Sequence, residues 1–112
     1  MNATMPEAVK IFMDATNTGN VVGLDAFLAA DAILLDAPEN SEIRGARAIK
    51  SSLKESRDKF ALVVAVSDVK CADNHVILST MASGNFPGSP LAFTYDFTMN
   101  GVMIQHLTVD LA

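Results

Sequence analysis

The 112-residue chain has one cysteine, one tyrosine and no tryptophan. Cys71 stands alone, so no internal disulfide can form, and a buried, reduced thiol is the expected state. No apolar run approaches the roughly 18 to 20 residues that a membrane helix needs. Nor does the N-terminus join a basic start to an apolar core. Together these predict a soluble, cytoplasmic protein without a membrane partner. Basic residues are also scarce, with 8 Lys and Arg against 13 Asp and Glu for a net charge of -5. Such a chain is a poor match for a phosphate backbone, and no nucleic acid is expected. Cys71, Asp73 and His75 alternate along the chain, but Ala72-Asp73-Asn74 reads as a turn and no second histidine lies nearby. Neither a metal nor a cofactor is expected.

Apolar residues, by contrast, are plentiful. They make up 50% of the chain, and mean hydropathy is +0.29, high for one domain of residues 1–112 that must cover its own surface. This excess predicts a homodimer. Six of the eight basic residues crowd into Arg44, Arg47, Lys50, Lys54, Arg57 and Lys59. Arg47, Lys50 and Lys54 would share a helical face and could bind an anion; the plainer reading is a solvated face balanced by Glu39, Glu42, Glu55 and Asp58.

Thr4 and Glu7 have the spacing of a capping box, and Val9, Phe12, Met13 and Thr16 recur at helical intervals, predicting a helix over Met5 to Asn17. Gly19 suits its end. Asn20 can cap a short second helix with Leu24, Phe27 and Leu28 on its apolar side. The run Ala32 to Pro38 reads as a strand followed by a loop, and Ala46 to Lys59 as a third, amphipathic helix with Ile49, Leu53 and Phe60 along one side. From Ala61 onward β-branched and aromatic residues alternate with turn signals, predicting four antiparallel strands over about 62–70, 75–85, 91–99 and 103–111. Leu91, Phe93, Tyr95, Phe97 and Met99 share one side of their strand, as do Leu107, Val109 and Leu111 of the next. His106, Thr108 and Asp110 take the opposite side, facing solvent or a second subunit. Helices followed by a meander make an α+β fold.

The stretch Ala29 to Ile49, "AADAILLDAPENSEIRGARAI", and the hairpin "FTMNGVMIQHLTV", Phe97 to Val109, resemble the nuclear-transport-factor-2-like superfamily. Its members include ketosteroid isomerase and the SnoaL-like polyketide cyclases. The likeness covers nearly the whole chain. It implies three helices packed on a curved, mostly antiparallel sheet, forming a cone-shaped barrel with an apolar pocket. Against the ketosteroid isomerase pattern, Asp36 falls on the general-base aspartate. The two oxyanion donors of that pattern fall on Phe12 and Phe93, which cannot donate a hydrogen bond. A dienolate would therefore lose several kcal/mol of stabilisation, which argues against steroid isomerisation.

The resemblance thus implies a pocket protein for a hydrophobic small molecule, with Asp36 as the catalytic proton-transfer group of a lyase or isomerase. Phe12, Phe93, Tyr95, Leu107 and Val109 would line the pocket. Two alternatives stand beside it: a non-catalytic ligand-binding or dimerisation module, and an Asp36 that only accepts backbone N–H bonds from the following loop. Tyr95 likewise either offers its hydroxyl to a ligand or is a core tyrosine with its oxygen at the rim.

Overall fold

The computed structural model describes residues 4–112. Helix α1 spans Glu7–Thr18, not Met5–Asn17, and its N-cap is Pro6, with no side-chain hydrogen bond from a capping residue. The expected capping box is therefore not used. The reason is steric: a residue before proline is driven out of helical geometry, so Met5 cannot start the helix. Gly19 ends it in the left-handed conformation at φ 78, and its N–H donates to the Ala15 carbonyl at 2.8 Å. Asn20 accepts the Val22 N–H at 3.3 Å, but the N-cap of the next segment is Val21, with no side-chain cap hydrogen bond, so Asn20 is not the cap expected. That segment, Val22–Ala26, is a single 3-10 turn instead of a full helix. Five residues with a glycine among them are too few to offset helix nucleation, and only Leu24 is buried.

Strand β1 then runs over Leu28–Asp36, longer than expected, because Leu28 joins the sheet in place of the second helix. Ser41–Arg44, expected as loop, forms the short strand β2 antiparallel to it. Helix α2 covers Ala46–Phe60 and buries Ile49 and Leu53. Strands β3 (Val63–Ala72), β4 (His75–Ser83), β5 (Leu91–Asn100) and β6 (Met103–Leu111) follow as an antiparallel meander. The sheet order is β2-β1-β6-β5-β4-β3, with β1 and β6 parallel. Among the described residues the fold is α+β, with two α-helices and one curved six-stranded sheet that stays open at β2 and β3. Among the described residues no helix is long and apolar enough to cross a membrane.

Strand parity sets the layers. Val64, Val76, Leu78, Tyr95, Phe97 and Leu107 turn inward under α1 and α2 and are buried. Ile104 breaks the parity seen from sequence yet is only 1% exposed. The pairing jumps from Thr98–His106 to Met99–Ile104, so Gln105 is an extra residue that returns Ile104 to the core side. The bulged Gln105 amide donates to Asp31 at 3.0 Å. At the other end Gly84 lies where α2 meets β4. A Cβ there would stand 2.5 Å from the Phe60 carbonyl, which the Asn85 N–H reaches at 2.7 Å.

The open edge at β3 is closed locally by α1. The Asn17 side-chain amide donates to the Val64 carbonyl at 3.0 Å, and its oxygen accepts the Val64 N–H at 2.7 Å. One side chain thereby satisfies both groups that a further strand would have paired. Asn17→Ala should lower unfolding stability in urea by about 1–3 kcal/mol, since it strands two part-buried backbone groups. A change within experimental error would show that water replaces the amide without cost.

Candidate functional site

Asp36 is the last residue of β1, paired with Ser41 of β2 on one side and Val109 of β6 on the other. Val109 in turn pairs with Tyr95 of β5, and Tyr95 with Leu78 of β4. The pairing therefore lines up Ser41, Asp36, Val109, Tyr95 and Leu78 as one row on the helix side of the sheet. Phe93 and Leu111 form the next row toward the rim, and Phe97 and Leu107 the row toward the centre. Five of the six residues expected at a pocket, from β1, β5 and β6, thus occupy neighbouring positions. The sixth, Phe12, reaches them from α1.

Burial divides them. Phe12 is 1% exposed and sits edge-on to Phe97, with ring centroids 5.3 Å apart. Leu107 is buried beside them, and the Tyr95 ring stacks on Phe97 at 6.2 Å. Asp36, Phe93 and Val109 are half-buried. The centre of the row system is packed, and its accessible end lies at Asp36.

The electrostatics follow from this placement. Burial pushes the Asp36 carboxyl above its ordinary 3.8; the Glu39 backbone N–H pulls it back, and the Glu39 charge raises it again. Its neighbour Tyr95 is pushed up to about 12, first by burial and then by the Asp36 charge. The phenol therefore keeps its proton at neutral pH and can only donate to a negative group.

A separate cleft of about 460 Å³ opens at the far end of the fold. It lies between Pro6, Glu7 and Ala8 at the start of α1, Phe27, and the turns carrying Asn74 and Gly101. None of Asp36, Phe12, Phe93, Tyr95, Leu107 or Val109 lines it. Sequence reading met its Cys71, Asp73 and His75 only as a weak metal pattern, because the fold alone brings that turn beside the start of α1 and Phe27. Cys71 also lines the cleft, and its thiol is exposed, correcting the expectation of a buried one. The hairpin ends there at the Asp73-Asn74 turn, so Cys71 escapes the helix layer. Among the described residues no group of three or more His, Cys, Asp or Glu side chains could hold a metal ion.

Three of the six residues of the basic segment have polar partners, and Glu42 is the one acid among the four expected to balance them that forms an ion pair among the described residues. Lys50 pairs with Asp25, Arg44 with Glu42 at 2.8 Å, and Arg57 donates to the Leu62 carbonyl at 3.0 Å. The partner of Lys50 comes from the 3-10 turn, which sequence spacing could not reveal.

Comparison with protein-family models and with curated protein sequences gives no match. Solved structures do match. A Sinorhizobium meliloti protein named as a candidate polyketide cyclase is 25% identical, with 95% of each chain covered and a TM-score of 0.87. A Catenulispora acidiphila protein with a ketosteroid isomerase-like fold, in complex with trimethylamine, is 20% identical. There 97% of this chain and 88% of the other are covered, at a TM-score of 0.82. TerC, co-crystallised with polyporic acid, is 12% identical over 95% of this chain and 89% of its own, at 0.80. The chain has the nuclear-transport-factor-2-like fold of the polyketide cyclase and ketosteroid isomerase-like proteins.

Burial of Asp36 makes a signed prediction. Its folded pKa lies above its unfolded one, so ionising it costs stability as pH rises from about its ordinary value through the folded value, and the cost persists above. Asp36→Asn should therefore gain stability relative to the parent between acidic and neutral pH. Thermal unfolding of both proteins across that range checks it, and a constant difference would contradict a raised pKa.

Proposed function

We propose that this protein handles a hydrophobic small molecule and that Asp36 transfers a proton on it, in a lyase or isomerase type of reaction. One observation carries the reading: strand register brings a half-buried carboxyl with a raised pKa into the same row as a buried phenol. In its ionised form Asp36 takes a proton from substrate carbon or oxygen; in its protonated form it returns that proton to the leaving or rearranged position. Charge that develops on a substrate oxygen needs a donor. With Phe12 and Phe93 unable to supply one, the Tyr95 hydroxyl is the donor within the row, and its high pKa keeps it protonated for that task. A single donor suits substrates whose intermediate carries less localised charge than a dienolate. Phe93 and Val109, half-buried beside Asp36, would contact the apolar body of the molecule. Two proteins of the same fold were crystallised with small organic molecules, trimethylamine and polyporic acid, which supports a small-molecule role in general.

The alternative is a non-catalytic ligand-binding or dimerisation module, and the tight Phe12, Phe97 and Leu107 packing favours it. In that reading the outer face of the sheet, which carries Ala92, Thr94, Thr98, His106 and Thr108, joins two copies into a homodimer.

The two readings separate experimentally. Asp36→Asn should leave the fold intact, with a Tm no lower than the parent's, while cutting turnover of any substrate found by about 100- to 10,000-fold. Tyr95→Phe should retain binding and lower kcat by about 100-fold or more. Substrates are sought by NMR with a panel of hydrophobic ketones, enones and hydroxylated aromatics. Binding that shifts Phe93, Tyr95 and Val109 would place the molecule at Asp36. Shifts confined to Phe27, Met99 and Val102 would move the function to the distal cleft and refute the proton-transfer reading.

A further inference from the structure

The cleft at the far end of the fold, about 460 Å³ in volume, falls within the roughly 300–1,000 Å³ of small-molecule pockets. Its walls are fixed by hydrogen bonds to the main chain. The Met99 N–H donates to the Asn74 carbonyl at 2.7 Å, and the Asn74 side-chain amide donates to the Met99 carbonyl at 3.4 Å, so the β3–β4 turn is clamped to β5. The Ile104 N–H donates to the Phe27 carbonyl at 2.7 Å and ties a second wall to β6. The start of α1 is held at Pro6, whose carbonyl accepts the Val9 and Lys10 N–H groups at 3.0 Å. The cleft is thus preformed, and little ordering of the protein accompanies binding.

Two features of the lining select a ligand. The first is apolar surface: Phe27 and Met99 are half-buried, and Val102, beside Gly101 at the tip of the β5–β6 hairpin, is left 71% exposed. The second is charge of one sign. Glu7 and Asp73 line the cleft, no lysine or arginine does, and neither acid forms an ion pair among the described residues. His75 adds no free positive group on its Nδ1 side, which pairs with Asp96 Oδ1 at 2.8 Å. The positive end of α1 opposes the two carboxylates with about half a charge, which leaves the cleft negative. Apolar walls focus that field. A neutral molecule leaves the charge unanswered and an anion is repelled, whereas a cation on an apolar body answers both features.

We infer that this cleft binds a hydrophobic ammonium compound, with its charge beside Glu7 and Asp73 and its apolar body against Phe27, Met99 and Val102. None of the residues of the Asp36 row lines the cleft, so the two sites fill independently. They also take different chemistry: a permanent positive charge here, and a proton to be moved at Asp36.

Backbone NMR titration of the full chain in low salt with phenethylamine, phenethyl alcohol and phenylacetate, three probes of similar shape and different charge, tests it. Phenethylamine should shift Ala8, Phe27, Asn74, Met99 and Val102 and bind about tenfold or more tighter than the alcohol. Phenylacetate should leave those signals unmoved, and in about 1 M salt the lead of the amine should shrink. Glu7→Gln combined with Asp73→Asn should bring the amine to the affinity of the alcohol without changing the alcohol. Asparagine suits the φ of 54 at position 73, so the turn is kept. Val102→Ser should weaken amine and alcohol alike with the fold intact, because the side chain is exposed. Equal affinity of amine and alcohol for the parent, phenylacetate bound in the cleft, or an amine lead that survives the double change overturns the inference. So does a spectrum that phenethylamine leaves unshifted, or one that it shifts only around Asp36 and Glu39. Proton transfer at Asp36 is untouched by any of these results, since the neutral panel tests it.

Discussion

The edge-on contact between Phe12 and Phe97 is the joint on which the rest of the structure depends. It is the meeting point of α1 and the middle of the sheet, and both rings are essentially removed from water. Burying two aromatic side chains this fully, with an edge-to-face geometry between them, fixes the height of the helix above β5. That height sets which positions near the sheet centre are core and which keep access to solvent. Tyr95 stacks on Phe97, so its ring belongs to the core, and the Asp36 charge acts on its phenol. The candidate chemistry is thus a rim feature of a filled interior.

This bears on why two phenylalanines, in positions where hydrogen-bond donors would stand in a ketosteroid isomerase, are not simply a loss. A polar donor at Phe12 would have to be satisfied within a core that holds no buried unpaired side-chain N or O atoms among the described residues. Phenylalanine removes that requirement and allows the Phe12–Phe97 contact. In the reaction proposed above, stabilisation of a developing anion would then pass to Tyr95, and the substrates would be those that need only one donor.

How much of this was legible in the sequence depends on the length scale of each signal. Strand parity over Leu91 to Met99 placed Phe93, Tyr95 and Phe97 on the buried side correctly, because side-chain alternation is local and the strand is regular. The same logic failed at Ile104, where one bulged residue reverses the parity and only the pairing with β5 reveals it. Pro6 carried enough information to deny the helix a start at Met5, but the capping-box spacing outweighed it. The second helix was over-read for a related reason: Leu24, Phe27 and Leu28 have helical spacing, yet Leu28 pairs with Ile104 in the sheet. Strand β2 was invisible, being four residues of which three are polar and exposed, so that it depends on pairing with β1. Asp36 was found through the resemblance alone, while its partner in the row emerged only when β6 was seen to lie between β1 and β5.

That interposition of β6 is also what ties the two sides of the sheet together. Because β6 pairs in parallel with β1 and antiparallel with β5, Val109 on its inner side stands between Asp36 and Tyr95, while Thr108 on its outer side stands between Leu35 and Asp96. The inner row that carries the candidate chemistry and the outer row that carries Asp96 are therefore one residue apart on the same strand. Below these rows the register shifts in both pairings, between β5 and β6 at Gln105 and between β6 and β1 before Ile33, and the Gln105 amide bonded to Asp31 joins the two irregular segments.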